Sequence, residues 1–301
     1  MKATRADIER QVQVRRAQLD ATNERIEART GRNLILAILI GLGLGLLMLF
    51  SLIVIKELFM VVAMVLAGFA TFELAGALKV SGRQVPRIPT VVASLALVPA
   101  TYYWHAQGQL AVLGAGILLV WLWRLAEGLK RSRRIPLPAL LRDLGAGAFI
   151  QVYVAFLASF SVLLLAEDGG QWWTLAFLLV VILIDISAYA SGLLFGKHPM
   201  APTISPKKTW EGLAGAALVS IVAGIILSTF MLGEQWWFGF IFGPVLLFTA
   251  TMGDLAESLI KRDLGIKDMS SWLPGHGGFL DRLDSILPSA AVAYALFLIL
   301  G

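Results

Sequence analysis

Asp254, Glu257, Ser258 and Lys261 recur at i, i+3, i+4 and i+7, so a helix carries all four on one face. Twenty residues further on, Asp281, Asp284 and Ser285 repeat the i, i+3, i+4 spacing at the start of the last apolar run. A basic loop ending in Pro274-Gly-His276-Gly277-Gly278 joins the two stripes. Hydrocarbon-bordering segments hold carboxylates, bases and paired glycines at this density where chemistry is done. Two acidic helix ends beside a basic, glycine-containing loop suit a metal ion and phosphate. Oxygen-only donors without thiolates match Mg²⁺, which takes one or two carboxylates plus substrate phosphates and water. Asp254 and Asp281 are the first ligand candidates, with Asp284 and Glu257 next. Zinc is disfavoured, because the chain has three His, at 105, 198 and 276, and no Cys. The glycines permit close backbone approach to a phosphate but do not form a P-loop pattern.

Two further regions belong to the same chemistry. The loop Phe195 to Gly212 holds Pro199, Pro202 and Pro206, which exclude regular helix, and interleaves Lys197, Lys207 and Lys208 with Ser205 and Thr209. Cations and hydroxyl donors on a stiff loop suit a polyphosphate. Ser205-Pro206 also reads as an N-cap for the apolar helix that follows. Asp185 lies inside an apolar run, where an ionised carboxylate costs about 2.5–3.5 kcal/mol on insertion scales. A local hydrogen bond to Ser187 or Tyr189 competes with a role in the site.

The elements that must position these residues are membrane helices. The chain is 58% hydrophobic and 15% charged, with a mean hydropathy of +0.78, where soluble domains carry about 25% charged residues. Disulfides and thiolate catalysis are excluded by the absence of Cys. The charged first 32 residues and the length of the first apolar run do not fit a cleavable signal peptide. Runs of about 20 apolar residues predict an all-α polytopic integral membrane protein with about nine transmembrane helices: 33–55, 57–78, 88–104, 108–126, 143–166, 171–190, 212–232, 236–257 and 282–300. This count puts residues 1–32, 79–87, 127–142, 191–211 and 258–281 on one side. With the flanking Arg124 and Arg282, that side holds 24 of the 25 Lys and Arg, Lys56 being the exception. The positive-inside rule makes it cytoplasmic, together with the N-terminus. Residues 1–32 read as a charged cytoplasmic extension, 33–166 as N-terminal transmembrane helices, and 167–301 as the catalytic region with cytoplasmic loops 191–211 and 258–281. The extension mixes eight bases with five acids and loosely helical Ile8, Val12, Leu19 and Ile26, as a helix near anionic headgroups would.

Ser258-x-Ile-Lys261-Arg262, Lys267-Asp268 and Pro274-Gly-His276-Gly-Gly-Phe-Leu-Asp281-Arg282-Leu-Asp284 together resemble the signature of the phosphatidate cytidylyltransferases (CDP-diacylglycerol synthases). Ser205-Pro-Lys-Lys-Thr-Trp-Glu-Gly212 looks like a second hallmark of that family, as does Asp185 ahead of Phe195-Gly-Lys-His198. Asp185-Ile-Ser-Ala-Tyr189 departs from the Asp-Thr-Gly-Ala-Tyr of the family pattern. The likeness is strong over about 185–288. Over 33–166 it amounts to a similar hydrophobic pattern, with Glu73 near the end of the second span.

The resemblance implies CMP transfer from CTP to phosphatidate, giving CDP-diacylglycerol and pyrophosphate in phospholipid biosynthesis, with Mg²⁺ and room for a second cation. It implies that Asp254 and Asp281 hold the metal and that Asp284 supports them or binds the second cation. Lys207, Lys208, Lys261, Arg262 and Lys267 are assigned to substrate phosphates. Asp185, Ser205, Ser258, Asp268, His276, Gly277, Gly278 and Arg282 are further substrate contacts. CTP and membrane phosphatidate are the expected partners, nucleic acid is not, and a homodimer through Gly-rich faces is the expected assembly. The expected location is the plasma (inner) membrane, with the site facing the cytoplasm. Two readings compete. Another CTP-dependent lipid enzyme, of polyprenol kinase or CDP-archaeol synthase type, would share the placement and the nucleotide. An ion-coupled transporter would put its carboxylates near the midplane of duplicated halves, a pattern this sequence lacks.

Overall fold

Apolar runs of 20 residues or more must satisfy their backbone internally in lipid, and the described runs do so as helices. A computed structural model describes residues 34–130, 135–270, 272 and 277–300, with Arg10 and Gln13. The headgroup-helix expectation for residues 1–32 and the assignment of His276 lie outside the described residues. The helices are α1 (Leu34–Ile53), α2 (Lys56–Val80), α3 (Arg87–Lys130), α4 (Leu137–Ile150), α5 (Leu157–Ala166), α6 (Gly170–Phe195), α7 (Trp210–Leu227), α8 (Gly239–Asp263), α9 (Leu280–Leu283) and α10 (Ile286–Leu300). A π-helical turn, Gln151–Phe156, joins α4 to α5.

Among the described residues, seven segments are long and apolar enough to cross a membrane: Lys56–Val80, Arg87–Leu129, Leu137–Ala166, Gly170–Phe195, Trp210–Leu232, Trp236–Asp263 and Leu280–Leu300. The chain is an all-α integral membrane protein. Its segment Arg87–Leu129 folds in two: His105 leaves helical geometry at φ 50°, and a Cβ on Gly116 would stand 3.0 Å from that of Ala93. The two expected runs 88–104 and 108–126 are the arms of this hairpin. The first pair of runs separates at Ile55, which is extended.

Several ends differ from the hydropathy reading in ways that matter for the site. Helix α8 runs on to Asp263, past the end at 257 that hydropathy gives, so Ser258 and Lys261 are helical, as their i, i+4 and i+7 spacing from Asp254 expects, and Arg262 with them. The loop after α6 forms a two-stranded antiparallel hairpin, β1 (Pro199–Ala201) and β2 (Ser205–Thr209). The expected Ser205 cap is thereby corrected. Ser205 opens a strand, and Thr209 caps α7 by accepting from the Gly212 amide at 3.1 Å.

Helices α6, α7, α8 and α10 share one apolar core that includes Trp173, Phe177, Phe242, Leu246, Ala250 and Ala290. Two glycines set how closely the site-bearing ends approach. A Cβ on Gly253 of α8 would collide with the Asp284 carbonyl, so only glycine lets this backbone pass the start of α10. A Cβ on Gly212 would reach the Ala188 carbonyl at 2.8 Å, which brings β2 and the start of α7 against α6. Asp254 and Asp185 are the carboxylates these approaches carry inward.

Candidate active site

The approaches enclose a cavity of about 440 Å³ at the loop-bearing end of the bundle. Asp185 and Tyr189 line it from α6, Lys207, Lys208 and Thr209 from the hairpin, and Thr251, Asp254 and Lys261 from α8. Asp268, Asp281, Arg282, Asp284 and Ser285 complete the wall. Both stripes and the Lys-Lys hairpin therefore converge on one space. Ser187, one of the two local partners considered for Asp185, instead donates to the backbone carbonyls of Leu183 and Ile184.

Two lysines of this wall pair directly with carboxylates. Lys208 Nζ lies 2.6 Å from Asp254 Oδ2, joining the hairpin to α8. Lys261 Nζ lies 2.8 Å from Asp281 Oδ1 and also pairs with Glu257 one turn back on its own helix. Glu257 is fully buried and stands behind Lys261, outside the cavity lining, so its place is that of a counter-ion.

Asp281 is the most fully engaged of the carboxylates that line the cavity. Its Oδ2 accepts from the Gly278 amide at 2.8 Å and the Met269 amide at 3.0 Å, while Oδ1 accepts from Lys261. Gly277 adopts φ 77°, which L side chains rarely take, and so aims the next amide at this oxygen. Asp284 Oδ1 accepts from the Ser285 amide at 2.6 Å, and Ser258 Oγ donates to Asp254 Oδ1 at 3.4 Å.

Some expected contacts stand apart from the cavity. Arg262 is exposed and its Nε donates to the Ile204 carbonyl at 3.2 Å, where it braces the hairpin. Lys267 is exposed, and Ser205, Ser258, Gly277 and Gly278 do not line the wall. Glu211, which closes the Lys-Lys motif, holds the hairpin base by accepting from the Lys197 and His198 amides at 3.1 and 3.2 Å and meeting His198 Nδ1 at 2.5 Å.

Among the described residues no three His, Cys, Asp or Glu side chains converge as a ready-made metal cage. Carboxylates and hydroxyls nevertheless fit a hard cation, and Mg²⁺ is usually completed by substrate phosphates rather than by protein alone. Asp185, Asp254, Asp281 and Asp284 all line the cavity, and Asp254 and Asp281 each have both oxygens engaged by donors. With a lysine ammonium already at Asp254, the wall is built for cations and anions together.

Sequence comparison points the same way. The sequence model of the cytidylyltransferase family matches residues 35–300. The phosphatidate cytidylyltransferase of Mycobacterium bovis is 40% identical over 278 residues, covering 91% of this chain and 91% of that protein. The one from Mycobacterium leprae is 38% identical over 280 residues, 90% of each chain. The Brucella abortus phosphatidate cytidylyltransferase is 35% identical over 184 residues, 61% of this chain and 62% of that protein.

Proposed function

The chain belongs to the cytidylyltransferase family, and we propose that its reaction takes place in the cavity between α6, α8, α10 and the Lys207–Lys208 hairpin. It transfers the CMP moiety of CTP to phosphatidate, giving CDP-diacylglycerol and pyrophosphate. The observation that carries the site assignment is the convergence of Asp185, Asp254, Asp281 and Asp284 with Lys207, Lys208, Lys261 and Arg282 around one space. Few other chemistries need carboxylates and cations in such close alternation. A metal-nucleotide complex needs both.

A phosphate-monoester oxygen of the lipid attacks the α-phosphorus of CTP, a new P–O bond forms, and the bond to the β-phosphate oxygen breaks as pyrophosphate leaves. The nucleophile is already anionic near neutral pH, so orientation and charge neutralisation matter more than a strong base. Lys207, Lys208 and Arg282 neutralise the triphosphate and the departing pyrophosphate. Lys261, held by Glu257 and Asp281, presents a fixed ammonium to the reacting phosphates. Asp254 and Asp281, with Asp284 and with Asp185 nearby, would hold Mg²⁺, which when bound supplies Lewis-acid charge stabilisation to the phosphoryl oxygens. Asp281 also fixes Lys261 and the Gly278 turn.

The wider frame follows from charge. Nine crossings, counting both arms of α3 and the apolar helix α1, would put the basic hairpin, the loop after α8 and the N-terminus on the cytoplasmic side of the plasma membrane. CTP then enters from the cytoplasm and phosphatidate from the inner leaflet. Pyrophosphate release from CTP that requires both phosphatidate and Mg²⁺ supports this reading. Release that ignores the lipid, or that occurs in chelator, contradicts it.

A further inference from the structure

Glu73 lies in α2, in the half of the chain without a recognised motif, yet among the described residues it bonds to the loop and turn beside Asp281. It is 4% exposed. One carboxylate oxygen accepts from the Phe279 amide at 3.0 Å and from the Ser270 hydroxyl, and the other accepts from the Leu280 amide at 2.9 Å. Asp281 takes the preceding amide, Gly278, at 2.8 Å. Two carboxylates from opposite ends of the sequence thus claim three successive amides at the start of α9. A Cβ on Gly278 would lie 2.8 Å from one Glu73 oxygen and 3.0 Å from Asp281 Oδ2, so the turn is clamped between them with no room to spare.

The same helix grips the loop a second time. Phe69 stacks on Phe279 at 4.7 Å and meets Trp272 edge-on at 5.5 Å, while Phe72 lies 5.4 Å from Trp272. Fixing both sides of the loop to α2 removes the freedom of the turn that presents Asp281. A buried carboxylate taking three hydrogen bonds is a costlier device than apolar packing, which would suffice for cohesion alone.

We infer that Glu73 is a positioning residue for cytidylyl transfer, setting the Gly278–Leu280 turn so that Asp281 holds Lys261 in its reactive place. The inference rests on the reading of Asp281 and Lys261 as site residues. Glu73→Gln is close to isosteric but turns one acceptor into a donor facing an amide N–H. Purified wild type, Glu73→Gln, Glu73→Asp, Ser270→Ala and Asp281→Asn are compared for kcat, for the stoichiometry of CTP binding, and for amide exchange across residues 278–283.

For Glu73→Gln the expected result is a fall in kcat of about tenfold or more, faster exchange over 278–283, and CTP binding still at one per chain. Glu73→Asp, which keeps the charge, recovers part of the rate. An active wild type with a kcat within twofold in Glu73→Gln overturns the inference. So does a kcat loss that merely tracks lost CTP-binding stoichiometry. Should Glu73→Gln not fold, Ser270→Ala decides: a two- to fivefold fall with faster exchange supports the role, and an unchanged kcat overturns it. An active Asp281→Asn would instead overturn the reading on which the inference stands.

Discussion

Lys208 Nζ and Asp254 Oδ2 stand 2.6 Å apart, one on a two-stranded hairpin and the other on a membrane helix, and their pairing closes one wall of the cavity. Both groups are partly exposed and line that cavity, so the pair would be free to exchange partners on binding the proposed nucleotide. On the proposed reading the ammonium would turn to phosphate and the carboxylate to the cation. The ion pair is a resting arrangement whose charges suit the substrate complex.

Lys208→Ala therefore weakens nucleotide handling more than folding. A charge-assisted hydrogen bond is worth about 1.5–3 kcal/mol, so the KM for CTP rises on the order of tenfold to a hundredfold. Steady-state kinetics with CTP varied at saturating lipid checks this. A KM within twofold of wild type would remove Lys208 from the nucleotide site.

Lys261 is held by two carboxylates, and its loss leaves both without a cation. Lys261→Met should be strongly destabilising, on the scale of about 3–5 kcal/mol for a broken buried pair. Combining it with Glu257→Gln relieves the excess negative charge, so stability returns in part while activity stays absent. Thermal unfolding in detergent and a rate assay on the same preparations separate the two effects.

Gly253 passes the Asp284 carbonyl where no Cβ fits. Gly253→Ala forces α8 away from α10, an overpacking cost of about 1–3 kcal/mol, and moves Asp254 relative to Asp284. Activity is expected to fall by more than the lost stability accounts for. A fully active Gly253→Ala enzyme would mean that the spacing of these two carboxylates is not critical.

Chelation of divalent cations should abolish turnover, and Mg²⁺ should restore it. Ca²⁺ should restore little, because its longer bonds and higher coordination number do not reproduce the compact octahedral geometry of Mg²⁺. Turnover measured against each added cation after chelator treatment tests this.

Much of this architecture is visible in the sequence, and the gaps have physical causes. Hydropathy marks where the apolar helices lie, but not that α8 continues in helical form to Asp263, because that final turn is polar. The Lys207–Lys208 motif announces phosphate chemistry, but strand pairing, which puts Thr209 rather than Ser205 at the helix start, depends on the partner Pro199–Ala201. The acidic stripes name Asp254, Asp281 and Asp284 by helical spacing alone. Glu73 carries no such signal: it meets Ser270 and Leu280 from 197 and 207 residues away, and only the folded chain brings them together. Glu257, read from its stripe as a possible ligand, proves to be a buried partner of Lys261, because spacing gives the helix face and not the depth.

The most direct test of the central claim uses purified protein in mixed micelles with phosphatidate, Mg²⁺ and base-labelled CTP, with Asp281→Ala run beside the wild type. Label is expected to enter the organic phase with wild type only, and only when Mg²⁺ is present. Label transfer that persists undiminished in Asp281→Ala would contradict that claim, as would a wild type that leaves all label in the aqueous phase.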